Sequence, residues 1–136
     1  MQQQVPSAAT VDVVFSAYAL HHLSRPDKET VLKHVVELLV PGGWFVNADL
    51  IVADSSELES RLQELRVAGI VERASGSDNR FDGSASTRRF LADLEKNERD
   101  QPLTLSEDLA LLRSSGLKNV SALWLEYREL VSGGQK

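Results

Sequence analysis

Two adjacent histidines, His21 and His22, close an apolar run that begins at Val11 and reads VDVVFSAYALHHL. An imidazole changes charge near neutral pH, so either one has the chemistry to take a proton from a bound substrate. Adjacent side chains at a strand end diverge, so at most one of the pair is expected to face a cavity, and a structural or orienting role competes with catalysis. His22 is the candidate general base. The remaining histidine, His34, shares a polar helix face with Thr30, Lys33 and Glu37 and is expected to be solvent-exposed. Asp49 ends a second apolar run, and beside His21 or His22 it raises the question of a metal ion. Neither a His-x-x-x-His pair nor any other ligand spacing supports one, so no metal is expected. Glu95, Glu98 and Asp100 are strung along a polar helix end and are not expected to work as paired catalytic carboxylates. Trp44 and Trp124 have the faces to stack on an aromatic ligand, but burial in the core is the expectation for both.

The elements that must position these residues follow from periodicity. Residues 11 to 17 are rich in β-branched and aromatic side chains, which suits a strand covered on both faces. Ser24-Arg25-Pro26-Asp27 supplies a cap, a first-turn proline and an early acid, and Val31, Leu32, Val35, Leu38 and Leu39 then recur at helical spacing. Val40-Pro41-Gly42-Gly43 stops that helix, and Trp44 to Val52 reads as a second strand. Strand, helix and strand joined this way make a βαβ unit with parallel strands. Asp54 to Glu57 starts another helix, with Leu58, Leu62 and Leu65 as its stripe to about Ala74. Residues 75 to 83 are dense in turn formers. Ser84 or Ser86 is the expected cap of a helix running through Asn97, with Phe90, Leu91 and Leu94 inward. Thr104-Leu105-Ser106-Glu107 is a capping box opening a helix that Gly116 stops, and Val120 to Tyr127 follows as a strand. Glu129 to Ser132 has the makings of a further short strand, while Gly133-Gly134-Gln135-Lys136 reads as a frayed tail.

Bulk properties narrow the function classes. With 136 residues, 42% of them hydrophobic, a single domain with one modest core is expected. The formal charge of -5 argues against a nucleic-acid backbone as partner, since such proteins gather positive charge on one face. No cysteine is present, which excludes disulfides, thiolate nucleophiles and Cys-ligated zinc. No apolar run reaches the length of a membrane span, and Met1 to Gln4 lacks the features of a signal peptide, so a cytoplasmic protein with no membrane partner is expected by elimination. The eight glycines include no Gly-x-Gly pair, so neither a P-loop nor a dinucleotide fingerprint is there. No nucleophile elbow surrounds any serine.

Three stretches, VDVVFSAYALHHL, VLKHVVELLVPGGWFVNADL and LTLSEDLALLRSSGLKNVSALWLEYREL, resemble successive blocks of the class I S-adenosylmethionine-dependent methyltransferases. The first is similar to the fourth sheet strand of that family and its following turn, the second to the next helix and fifth strand, and the third to the late helix and closing strand pair. The resemblance implies an α/β, partial Rossmann-like sheet: a βαβ unit, a helical substrate-side insertion over residues 55 to 100, and a C-terminal strand pair. It also implies that the glycine loop and ribose-binding acid, which family members carry earlier in the fold, would lie upstream of Met1. Met1 to Pro6 resembles the connector after the family's third strand.

What the resemblance implies for the site is specific. Ser16 and Ala17 match positions where the family's backbone approaches S-adenosylmethionine, and His21 and His22 match a pair found beside the methyl-transfer pocket. Without the donor loop, these residues alone are expected to bind the cofactor weakly and to be inactive unless completed. The methyl acceptor would be a small molecule that the sequence does not identify. An unpaired edge on the strand at residues 11 to 17 is expected to drive homo-oligomerisation, burying Val11, Val13 and Phe15, unless the N-terminal tail or the middle helices cover it. The alternative is a non-catalytic interaction module built on the same fold.

Overall fold

The computed structural model describes residues 9–136. The connector resemblance at Met1 to Pro6 lies outside the described residues. Nine elements follow one another: β1 (Val11–Ala17), α1 (Arg25–Leu38), β2 (Leu39–Val52), α2 (Ser56–Ala74), α3 (Ser84–Glu98), β3 (Leu103–Thr104), α4 (Leu105–Ser114), β4 (Lys118–Glu126) and β5 (Glu129–Gln135). Local chemistry sets most of these boundaries. Ser24 caps α1, its hydroxyl accepting the Asp27 N–H, and Ser55 caps α2 through the Leu58 N–H. Thr104 and Glu107 form the expected reciprocal box at the start of α4. The start of α3 differs from expectation: Gly83 is the cap residue, and the Ser86 hydroxyl accepts the Gly83 N–H.

The sheet order is β1-β2-β5-β4, with the two-residue β3 beside the end of β2. β1 and β2 run parallel, as a βαβ unit requires, and β5 runs antiparallel to both β2 and β4. β2 begins five residues before the expected Trp44. The chain passes from α1 straight into pairing at Leu39, opposite Val11, and the Pro41-Gly42 segment is taken up as an irregularity before Val13 meets Trp44. Gly43 sits there because a side-chain carbon would lie 2.9 Å from the Asp12 carbonyl oxygen of β1.

The glycine-rich C-terminus is a correction to the sequence reading. Rather than a frayed tail, Gly133 to Gln135 completes β5 between two neighbouring strands, and Ser132, Gly133 and Gly134 are buried. Composition misled because the two glycines serve packing. A β-carbon on Gly133 would stand 2.6 Å from the Phe45 carbonyl oxygen, and one on Gly134 would stand 2.9 Å from a Val120 methyl carbon. Gly133→Ala is therefore expected to push β5 off β2 and cost about 1–3 kcal/mol in urea unfolding. Gly69→Ala in the middle of α2, where the added carbon would meet only the flexible Arg73 side chain at 3.6 Å, is expected to be neutral or stabilising. Equal losses from the two would remove this account of the β5 glycines.

Among the described residues, helices cover one sheet face and leave the other open. Phe45, Leu32, Val35, Leu39, Leu111, Leu112 and Leu117 make the core under α1 and α4, each worth roughly 1.5–3 kcal/mol of burial. On β2, Phe45, Asn47, Asp49 and Ile51 are buried, while the alternate residues Trp44, Val46, Ala48 and Leu50 are half-buried. In register with the latter on β1 are Val13, Phe15 and Ala17, and Phe15 is 76% exposed. Among the described residues β1 is covered on one face, where Val14 packs against the core. Trp124 departs from expectation, being 48% exposed on the edge strand β4, and Trp44 is half-buried.

The inserted helices α2 and α3 pack on each other through Val67, Thr87 and Leu91, whereas Leu58 and Leu94, expected inward, are exposed. Arg128, buried in the β4–β5 turn, ties this pair to the sheet. Its Nε donates to the Ile51 carbonyl and lies 3.0 Å from Glu59 of α2, and its Nη1 reaches Glu95 of α3 at 2.6 Å.

Candidate active site

The site forms where β1 and β2 end side by side, the place where ligands bind in open α/β sheets. β1 ends at Ala17, and Tyr18 turns the chain with a positive φ of 48° while its N–H still bonds the Ala48 carbonyl. A short 3-10 turn, Leu20–His22, then carries both histidines over the end of β2. The alternation along β2 that buries Phe45 and Asn47 also buries Asp49, which thereby points at the histidine turn.

Asp49 holds that turn. Its Oδ2 accepts the His21 backbone N–H at 3.0 Å, and its Oδ1 meets His21 Nδ1 at 2.5 Å and the Leu50 N–H at 2.9 Å. His21 is 3% exposed, so it faces inward. His22 is the exposed member, its side chain 37% accessible, with Nδ1 3.0 Å from Asp100 Oδ1. The two side chains do not diverge as expected, since their rings lie against each other with centroids 3.9 Å apart.

Asp100 is what the sequence reading missed. It follows α3, has 8% of its side chain exposed, and lies between the two imidazoles, 3.6 Å from His21 Nε2 and 3.0 Å from His22 Nδ1. Gln101 fastens this segment: its N–H donates to the His21 carbonyl at 2.6 Å, and its own carbonyl accepts from Lys28 Nζ. Glu98 joins the same cluster from the last turn of α3. Glu95 instead binds Arg66 and Arg128 away from it. His34 is exposed, as expected.

Charges beneath the site are balanced within the protein. Burial pushes the Lys28 ammonium down from its usual range, opposed by the carboxylates of Asp49 and Asp108. Burial likewise pushes Asp108 up, and Asp49 adds to the rise, while the Ser132 hydroxyl, donating at 2.7 Å, and Lys28 oppose it. At the mouth, partial burial and the Glu129 carboxylate raise the Tyr18 phenol.

Ser16 and Ala17 lie where the sequence placed them, at the end of β1 beside Asn47 and Ala48. Ser16 is half-buried and Ala17 exposed. Of the glycines, Gly43, Gly133 and Gly134 press on neighbouring strands, Gly42 and Gly116 lie near Gln135 and Val36, and Gly69, Gly76 and Gly83 belong to the helical insertion. Separately, α2 and α3 enclose a cleft of about 410 Å³ between Glu59, Gln63, Val67, Arg88, Leu91 and Glu95.

A parallel β1-β2 pair extended by an antiparallel β5 and flanked by β4, with its histidine turn at the strand ends, is a Rossmann-like arrangement of the kind found in class I methyltransferases. A family model described as a methyltransferase domain matches residues 2–47. An uncharacterised methyltransferase of Geobacillus kaustophilus is 31% identical over 71 residues, which is 52% of this chain and 33% of that protein. One from Bacillus cereus is 32% identical over 71 residues, 52% of this chain and 32% of its own length. Human N-acetylserotonin methyltransferase, solved with S-adenosylmethionine, superposes with a TM-score of 0.57 at 13% identity, over 100% of this chain and 33% of that one. An O-methyltransferase family protein from Burkholderia thailandensis gives 0.57 at 17% identity, over 97% of this chain and 32% of that one. Over its first half the chain is similar to methyltransferases, its fold matches theirs, and it spans about a third of the length of the curated relatives it matches. No helix among the described residues is long and apolar enough to cross a membrane.

Proposed function

We propose that this chain carries the acceptor side of a methyl-transfer centre, with His22 as the base that takes the acceptor's proton. The observation that carries this reading is the arrangement of the pair: His22 is exposed at the strand ends and held by Asp100, while His21 is buried and held by Asp49. With Nδ1 donating to Asp100, the Nε2 lone pair of His22 is left to accept a proton from a hydroxyl or amine of a small molecule. Tyr18 borders the same turn. S-adenosylmethionine is the methyl donor of the family, and Ser16, Ala17 and the His21 turn would border it. Because the 136 residues contain no Gly-x-Gly pair, transfer on this reading needs a donor-binding segment supplied from elsewhere. Methyl transfer depends chiefly on holding donor and acceptor in line, so half a pocket gives no rate.

The test is transfer of labelled methyl from S-adenosylmethionine to a panel of phenols and amines. It is run with the chain alone and with the chain mixed with the donor-binding half of the Geobacillus kaustophilus relative. Label in the mixture and none in either half supports the reading; transfer by the chain alone, or none in a mixture shown to associate, contradicts it.

A second reading, a homo-oligomeric interaction module, is favoured by the open face and edge of β1, where Val13 is 41% and Phe15 76% exposed. The strand at residues 11 to 17 would then pair or pack with a second copy. A well-folded monomer in sedimentation at high concentration would count against it.

A further inference from the structure

We propose that His21, His22, Asp100 and Glu98 form a binding site for one divalent transition-metal ion of the zinc type, a site that goes beyond the methyl-transfer reading and does not depend on it. Each of the four offers one donor atom, and these atoms all lie within 4.8 Å of one another. Two imidazole nitrogens with two carboxylate oxygens suit zinc and its neighbours. With metal–ligand distances of about 2.1 Å, a tetrahedral site needs donors roughly 3.4 Å apart. The separations from Asp100 Oδ1, 3.0 Å to His22 Nδ1 and 3.6 Å to His21 Nε2, straddle that value.

A second observation points to a cation at this place. His21 is 3% exposed and gives its Nδ1 to Asp49, so in the neutral ring Nε2 carries a lone pair. That nitrogen lies 3.6 Å from an Asp100 oxygen, with no hydrogen bond between them. Two acceptors this close in a buried place call for a positive charge, and the carboxylate on the far nitrogen is the partner that orients and strengthens a metal-binding histidine. The ligands come from segments almost 80 residues apart, so an ion would clamp the end of α3 to the histidine turn. The same His22 cannot hold the ion through Nδ1 and accept a proton at Nε2, so an occupied site would silence the base.

The experiment is zinc titration by calorimetry and cobalt titration by visible absorption, on the full, untagged chain. Expected are one zinc per chain and the intense visible bands of tetrahedral cobalt. Glu98→Gln, at an exposed position, and Asp100→Asn should each weaken binding at least tenfold. Asp49→Asn should weaken it about 10- to 100-fold through His21. His34→Ala should leave it unchanged. Circular dichroism checks that each variant is folded. No saturable zinc heat would mean that a proton bridges His21 and Asp100 and would overturn the proposal. So would binding that survives Glu98→Gln and Asp100→Asn or disappears with His34→Ala. None of these readouts uses methyl transfer, so failure here and failure of the methyl-transfer reading are separate results.

Discussion

Replacing His22 by glutamine is expected to lower methyl transfer in the completed system by about 100- to 10,000-fold, the range for a positioned general base. The loss should fall on kcat with KM little changed, because His22 acts on the departing proton rather than on the bulk of the acceptor. Glutamine keeps a donor that can reach Asp100, so the turn should stay folded. The physical basis is a division of labour between neighbours: Asp49 fixes the buried ring and Asp100 fixes the exposed one. Steady-state kinetics of the mixed halves measure the change. A loss below about tenfold would leave His22 an orienting residue and move proton transfer to another group.

Asp49→Ala is expected to cost about 3–5 kcal/mol of stability, the range for stripping one partner from a buried polar pair. Three donors lose their acceptor at once: the His21 N–H, the His21 ring and the Leu50 N–H. Lys28, only 4% exposed, also loses one of the three carboxylates that offset its burial, leaving Asp108 and Glu107. Asp49→Asn keeps an acceptor oxygen for the turn and is expected to lose less. Urea unfolding followed by far-UV circular dichroism separates the two. If alanine costs under about 1 kcal/mol, the carboxylate is not what holds the histidine turn to β2.

Much of this architecture was legible because its signals are local. β1 follows from a run of β-branched residues, α1 from Ser24 and the proline after it, and α4 from the Thr104 and Glu107 pair. In each case the residues that decide the conformation lie within a few positions of one another. The same apolar run put Ser16 and Ala17 at the end of a strand and His21 and His22 just after it, where the structure has them. What stayed hidden is set by contacts between distant segments. Asp100 meets His22 across 78 positions, and Arg128 meets Ile51 across 77. Nothing near Asp100 marks it as more than a polar residue after a helix. Gly133 and Gly134 read as a tail because glycine is a poor strand former on its own, yet the closeness of Phe45 and Val120 makes the missing side chain a requirement. Trp124 was placed inside on the ordinary fate of aromatic side chains, yet it stands 48% exposed on the edge strand β4.

The most direct measurement is calorimetry of the 136-residue chain with S-adenosylmethionine and no other protein present. The account holds that these residues shape the acceptor side and border the donor without gripping it. It predicts heats of dilution only, with saturable binding appearing once a donor-binding half is added. A saturable, one-to-one heat at micromolar donor from this chain alone would contradict it.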